Sequence, residues 1–589
     1  MPATLVTWGP MAAVGHHVDA QGRSAFCVFA PRKHSLAVRL LERGERLVLN
    51  PDDSGHWHAS TARLPHGTLY LIEVDGGTLP DPASRGQPQG VHGPSMVCDI
   101  EPALSPGWRG VAIADAILYE LHIGSFTPEG TLAAAARKLP HLRALGVNVL
   151  ELMPLAAFPG ERNWGYDGVY PFALHPAYGE WRDLRAFLEA AHAQGLAVIL
   201  DLVCNHFGPE GHHGGAFAPY TQHAKTPWGA AVNFDGPDSH GVRRFFLENL
   251  RHWLQDVGFD GLRMDAVSQV FDRSTPHFLR ECTELARRIA HEQGREILMI
   301  AEHLRNDRQV TSPAGYGFDA QWNDDLHHAL FARLTGERGR PYAGFGTFDD
   351  VLRALREAFV LDGTRFDRVH RCFLGSDGRH TAGHEHVVYL QNHDQVGNRL
   401  HGDRLIASHG RQRALLGITA VMASPYVPLL FMGEEYGETA PFFFFEDFTD
   451  PKVIAGCRAG RRAGLARGGA EPPDPHARAT FLASKLQWQR AASSEGQRLL
   501  AHYRTLIAWK RCGALGPRQR EQVHIEGDAA TQLITVRTPR TLTVMNFSAR
   551  PRRFAPPPGW TLRLASDERS TATSLQAHAA LVFGNVTLP

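Results

Sequence analysis

Three acidic residues, Asp265, Glu302 and Asp394, each stand just past an apolar run, in the segments GLRMDAV, ILMIAEH and HVVYLQNHD. Glu302 precedes a histidine, Asp394 follows one, and Asp265 lies two residues beyond Arg263. This set suits acid–base or nucleophilic chemistry on a neutral substrate. Glycoside hydrolysis needs one carboxylic acid to protonate a leaving oxygen and a second carboxylate to attack or to activate water, with positive charge growing at the anomeric carbon. Strand side chains repeat every two residues, so Arg263 shares a face with Asp265, and its charge favours the ionised carboxylate.

Such residues need a scaffold that gathers the ends of distant strands. From Ile117 onward, near-continuous apolar runs alternate with amphipathic stretches. The runs are ILYELHI (from Ile117), VNVLELMP (from Val147), LAVILDLV (from Leu196), GLRMDAV (from Gly261), ILMIAEH (from Ile297), FDAQWND (from Phe318), HVVYLQNHD (from His386) and YVPLLFMGEE (from Tyr426). Apolar runs ending in polar residues are the pattern of parallel strands covered by helices, and stretches such as 181–195 and 241–257 supply those helices. Strands and helices in this alternation predict a (β/α)8 TIM barrel, an α/β fold, with a doubly wound open sheet as the alternative. Polar residues sit at the C-terminal ends of the runs, where the βα loops of such a barrel converge on one site.

Short β-rich runs with turn residues precede the barrel (FCVFAP, SLAVRLL, RLVLN, GHWHAS, LYLIEVDGG) and others follow it (QLITVRT, TLTVMNFS, WTLRLAS). The expected division is an N-terminal β-sandwich over 1–95, a catalytic barrel over 96–513 with an insertion at 437–493, and a C-terminal antiparallel β domain over 514–589. The Pro, Gly and Ser of 79–95 predict a connector packed on a surface.

Composition narrows the partners. The 589 residues carry 61 Lys+Arg against 61 Asp+Glu, and without a basic run a nucleic-acid partner is not expected. No stretch approaches the ~20 apolar residues that span a bilayer, and the opening fifteen residues lack a basic segment followed by an apolar core, so no membrane and a cytoplasmic setting are expected. Seven scattered cysteines contain no CxxC pair, which suits a reducing compartment without disulfides.

DLVCNH (201–206), GLRMDAV (261–267), IAEH (300–303) and LQNHDQ (390–395) resemble, in order, the four conserved segments of the alpha-amylase superfamily. The resemblance implies Asp265 as nucleophile, Glu302 as general acid/base and Asp394 as the carboxylate that grips sugar hydroxyls. It also implies that His206 and His393 bond the sugar, that Arg263 orients Asp265, and that Tyr166 of WGYD stacks on the ring. Asp324 and Gln395 join them as substrate-binding candidates, although N-capping a helix that starts near Leu326 is the structural alternative for Asp324 and Asp325. Many members hold calcium through the asparagine of the first segment, here Asn205. Calcium takes about six to eight oxygen ligands, and without a dense acidic loop nearby no required metal or other cofactor is expected.

YELHIGSFTPEGT (119–131), NWGYDGVYPFALHPAYG (163–179), QWNDDLHH (321–328) and PLLFMGEEYGETAPFFFF (428–445) are similar to the malto-oligosyltrehalose trehalohydrolase family. That similarity implies a retaining hydrolase cutting the α-1,4 bond next to the terminal trehalose of malto-oligosyltrehalose, with the malto-oligosyltrehalose synthase of the same pathway as functional partner. The glycogen branching enzymes share the layout but have a fourth segment of Ser-His-Asp-Glu type, where this chain has Asn392-His393-Asp394-Gln395, so a branching transglycosylase is the runner-up. A noncatalytic glucan-binding protein would have lost a carboxylate, and all three are present. The phenylalanine run 442–445 reads as loop core rather than as a floor for sugars, since four adjacent side chains cannot all face one cleft.

Overall fold

A computed structural model of the chain describes residues 13–103, 105–466 and 470–588; most of the opening stretch read above for a leader lies outside them. The core is a closed parallel barrel of eight strands. These are β1 (Leu118–Leu121), β2 (Val149–Leu152), β3 (Ala197–Leu202), β4 (Gly261–Met264), β5 (Leu298–Ala301), β6 (Ala320–Trp322), β7 (His386–Tyr389) and β8 (Val427–Phe431). Each lies inside one of the eight runs picked out from the sequence, and β8 pairs with β1 to close the ring.

The two-residue repeat of the strands explains how the barrel carries a site. Leu118, Val149, Ile199, Leu298, Ile300, Ala320, Val387 and Leu429 pack together in the barrel interior. Two residues further along the same faces come Glu120, Glu151, Asp201, Glu302, Trp322 and Tyr389, with Arg263 in register with Asp201 and Ile300. The interior is therefore apolar at one end and charged at the end where the strands finish. The opposite faces, including Tyr119, Leu150, Val198, Leu262 and Met299, join the larger core under the helices.

Helix α1 (Trp181–Ala193) buries Leu184, Phe187, Leu188 and Ala191, one stripe at helical spacing, and starts where the Asp183 carboxylate accepts the Glu180 N–H. Helix α2 (Ser239–Arg251) runs on into a wider π turn over His252–Val257, so the stretch expected as one helix is continuous but changes pitch. The barrel's last helix is Ser494–Arg511.

Before the barrel, strands 15–18, 24–29, 50–51 and 56–61 form one antiparallel sheet, and strands between residues 36 and 96 form a second. After it, 524–528, 533–537, 541–546, 561–565 and 580–584 form a five-stranded antiparallel sheet. The 79–95 connector departs from expectation, because Asp81 to Gln87 are buried rather than laid on a surface. Paired polar groups make that burial tolerable. Tyr70 donates to Asp81, Arg85 donates to the carbonyls of Val14 and His16, and Trp181 of the barrel donates to the Arg85 carbonyl. The seven cysteines are all free thiols. Among the described residues no helix is long and apolar enough to cross a membrane.

Candidate active site

Arg263 is the centre of the charged end of the barrel. Its guanidinium is fully buried, lies 4.1 Å above the ring of Trp322, and donates through Nη1 to both oxygens of Asp201 and to Asp265 Oδ1, each at 2.8 Å. Its Nη2 stands 2.8 Å from Glu302 Oε2. One arginine thus holds the proposed nucleophile and the proposed acid on its two arms, and Asp201 fixes the arginine from behind.

The backbone between these groups is specialised. Ala266, next to Asp265, has φ +38°, a left-handed conformation uncommon for a residue with a Cβ. That turn sends the Ala266 N–H to Glu302 Oε2 at 2.9 Å, while the Val267 N–H reaches the Glu302 carbonyl. Strain of this kind is kept where the surroundings over-determine it, as at catalytic turns.

The electrostatics separate the carboxylates. Burial alone would push the Asp265 carboxyl up, but the Arg263 guanidinium, the Asn205 amide and His206 outweigh it, so its pKa lies below the ordinary 3.8. Burial pushes Glu302 well above its ordinary 4.5, and the negative charges of Asp265 and Asp394 add to that against the pull of Arg263. A carboxyl held in its ionised form beside one held towards its protonated form is the pairing that two environments impose on two like groups. Asp394 is the most open of the three, its side chain 40% exposed; Asn398 donates to its Oδ1 at 3.0 Å.

The substrate-binding candidates fall into two groups. Tyr166, His206, Arg263 and His393 gather around the carboxylates: the Tyr166 hydroxyl donates to Asp201 at 2.6 Å, and its ring lies 5.1 Å from that of His393 in a stacked arrangement. Asp324 and Gln395 sit further out, lining a cleft of about 720 Å³ that also takes in Asp394 and the loop residues His303 and Leu304. Asp324 Oδ1 accepts from the Tyr389 hydroxyl and from Gln395 Nε2, which leaves Oδ2 for a ligand hydroxyl.

Helix α3 (Asp324–Thr335) begins two residues earlier than expected, and its cap is Asn323, whose side chain accepts from the N–H groups of Asp325 and Leu326. Asp325 is buried instead, accepting from Asn306 and from the N–H groups of Val360 and Leu361. Neither aspartate is the cap. In the phenylalanine run, Phe442 and Phe445 are fully buried and Phe442 stacks on Trp164, so those two are loop core.

Several residues escaped the sequence reading. Most of the cleft wall comes from the long excursion between β6 and β7, including Glu337, Arg338, Tyr342, Asp367 and His370, and from Arg399 and Asp403 after β7. Charged residues in a turn-rich loop look like ordinary surface, so only the folded position reveals them. Trp228, half exposed at the tip of a hairpin, stacks on His206 at 5.2 Å. The amide nitrogen of Asn205 donates to Asp265, and its Oδ1 faces His206 Nδ1. Among the described residues no group of three or more His, Cys, Asp or Glu could hold a metal ion.

The model of the alpha amylase catalytic domain matches residues 80–226. A malto-oligosyltrehalose trehalohydrolase from Saccharolobus solfataricus is 40% identical over 84% of this chain and 86% of its own length. The enzyme of that name from Rhizobium sp. (strain M-11) is 39% identical over 93% and 95%. A crystal structure from Salmonella typhimurium, described as an alpha amylase, superposes with a TM-score of 0.88 at 37% identity, covering 97% of this chain and 99% of that one. With a barrel of this form, and with relatives this similar over most of their length, the chain belongs to the malto-oligosyltrehalose trehalohydrolase family of alpha-amylase-type glycoside hydrolases.

Proposed function

We propose that this enzyme hydrolyses the α-1,4-glucosidic bond next to the terminal trehalose of malto-oligosyltrehalose and releases trehalose. The observation that carries the chemistry is the single Arg263 guanidinium shared by Asp265 and Glu302, whose pKa values are displaced in opposite directions. Family membership supplies the substrate class.

In this reading Asp265 attacks the anomeric carbon while Glu302 protonates the leaving oxygen, and Glu302 then deprotonates the water that releases the sugar. Two inversions retain the anomeric configuration, which requires the carboxyls roughly 5 to 5.5 Å apart with no water between them. Asp265 and Glu302 on the two arms of one guanidinium suit that spacing. Asp394 and His393 bond the ring hydroxyls, Tyr166 and His206 line the sugar, and Asp324 with Gln395 recognises hydroxyls further along the chain. The domain division in this reading is an N-terminal β-sandwich of carbohydrate-binding type over 1–95, the catalytic barrel over 96–513 and a C-terminal β domain over 514–589. An enzyme that places trehalose at the end of a maltodextrin, a malto-oligosyltrehalose synthase, is the functional partner.

The test is to incubate the protein separately with malto-oligosyltrehalose, maltopentaose and amylose and to identify the products. Free trehalose from the first, with little action on the others, supports the reading. A new α-1,6 branch from amylose would replace it with transglycosylation.

A further inference from the structure

The two histidines of the site stand in unlike surroundings. His206 Nδ1 faces the amide oxygen of Asn205, and burial draws its pKa below the ordinary 6.5 despite the nearby Asp265, so it is neutral. His393 Nδ1 faces a carboxylate: Glu120 Oε1 at 2.6 Å, while Glu120 Oε2 accepts the backbone N–H of the same histidine at 2.9 Å. Glu120 is fully buried on the inward face of β1, and His393 is 2% exposed.

We propose that Glu120 is a positioning residue for the glycosidic reaction, gripping His393 by its backbone and Nδ1 so that the ring stays doubly protonated and turns its Nε2 N–H to Asp394 and the bound sugar. The bidentate hold fixes the ring position, because a carboxylate that bonds a residue's backbone and side chain together leaves that side chain one orientation. Nδ1–H donated to a carboxylate leaves Nε2 toward the opening, and Nε2 is 3.5 Å from Asp394 Oδ1.

All the groups around the ring bear on its charge. Glu120 and Asp394 favour the cation and outweigh burial, while Arg263 opposes it, and the balance lifts His393 to about 9. Glu151 and Asp201 are the other carboxylates within its field. Burial keeps Glu151 protonated, and Asp201 is paired with Arg263. His122 is neutral, lowered to about 3 by burial. Tyr166 covers one face of the ring and keeps its proton, and Trp164 meets the ring edge-on. Glu120 is thus the hydrogen-bonded countercharge.

Placed beside Asp394, a cationic His393 offsets the negative charge that Asp394 brings to the sugar, and its N–H donates to a ring hydroxyl. The proposal deepens the hydrolase reading and rests on it, but it holds for whichever α-glucan is cut. The test therefore uses the substrate that the product assay identifies, and absence of any turnover there would count against the hydrolase reading before Glu120 is examined.

The experiment compares kcat/KM from pH 5 to 10 for wild type, Glu120→Gln, His393→Asn and the double variant. Glu120→Gln keeps the shape and removes the charge. Losing a directly bonded countercharge lowers such a pKa by about 1 to 3 units, so the alkaline limb of Glu120→Gln moves down by a comparable amount. In the His393→Asn background the same change produces no further shift, since coupled residues are non-additive. A uniform loss at all pH values, or an equal shift without His393, would overturn the proposal. Should Glu120→Gln not fold, 15N-histidine NMR of the wild type at pH 7.5, with His393 assigned by the spectrum of His393→Asn, decides instead. Two protonated ring nitrogens are expected, and a neutral ring overturns it.

Discussion

Asn205 donates its side-chain amide to Asp265 twice, to the backbone carbonyl at 2.8 Å and to Oδ2 at 2.9 Å. With Arg263 on Oδ1, both carboxylate oxygens are held and the proposed nucleophile is fixed in one orientation. In Asn205→Ala, the loss of a hydrogen bond to a charged group, about 1.5 to 3 kcal/mol, lowers kcat about 10- to 150-fold with a smaller change in KM. The acid limb of the pH profile moves upward, because one of the groups favouring the ionised form is gone. Steady-state kinetics across pH 3 to 7 check both effects.

Asp265→Ala and Glu302→Ala each leave less than a few per cent of wild-type kcat while the protein stays folded by circular dichroism, since both groups act mainly in the transition state. In the wild type the first reducing end formed on a suitable oligosaccharide is the α-anomer by proton NMR. A β-anomer would exclude double displacement.

The pH profile of kcat/KM is a bell with its limbs drawn apart. Asp265 is ionised at pH values below the ordinary aspartate range, and Glu302 keeps its proton above the ordinary glutamate range. Activity therefore persists across neutral pH, falling on the acid side as Asp265 gains a proton and on the alkaline side as the first of Glu302 and His393 loses one. A limb near pH 4.5 that closes activity on the alkaline side would contradict the assignment of Glu302 as the acid.

Malto-oligosyltrehalose and maltodextrin share the same donor chain and differ in their terminal linkage, so discrimination arises where that end binds. Asp324 is fixed by Tyr389 and Gln395 and lines the cleft beside Asp394. Asp324→Ala lowers kcat/KM for malto-oligosyltrehalose by about 1 to 3 kcal/mol equivalent and affects maltopentaose far less, because a missing acceptor leaves a substrate hydroxyl unpaired. Equal losses on the two substrates would make Asp324 a structural brace for Gln395 and Tyr389.

Glu151 sits on β2 in register with Glu120, and neither of its carboxyl oxygens has a hydrogen-bond partner. Burial, reinforced by Glu120, raises its pKa well above 4.5. The folded state therefore binds a proton that the unfolded chain gives up above pH 4.5, and stability falls as pH rises from there towards the folded-state value. Glu151→Gln removes this slope. Its melting temperature matches the wild type near pH 4.5 and exceeds it increasingly up to pH 8, as read by thermal denaturation. An unchanged difference at every pH would mean that Glu151 is ionised in the fold.

The sequence alone determined the barrel and the placing of three acidic residues at the ends of its strands. All eight strands were legible because a parallel strand buried on both faces is written as a continuous apolar run, and the run ends where the chain turns to the site. Asp265, Glu302 and Asp394 were legible for the same reason, each standing at such an end. Only the tertiary structure decided what surrounds them. Glu120, Glu151 and Asp201 look like isolated charges in apolar segments until the two-residue repeat and the closure of the ring bring them beneath Arg263 and His393. The cap on α3 passed from Asp324 and Asp325 to Asn323, because the first turn of the helix lies against the 358–361 loop and Asp325 is needed to satisfy that loop's N–H groups. The 79–95 connector is buried for a similar reason: proline and glycine report that a segment is irregular, but whether it lies inside or outside depends on partners such as Arg85 and Trp181 that are remote in sequence. Local pattern encodes local geometry, whereas the charge states and contacts of the site depend on groups that meet only when the ring closes.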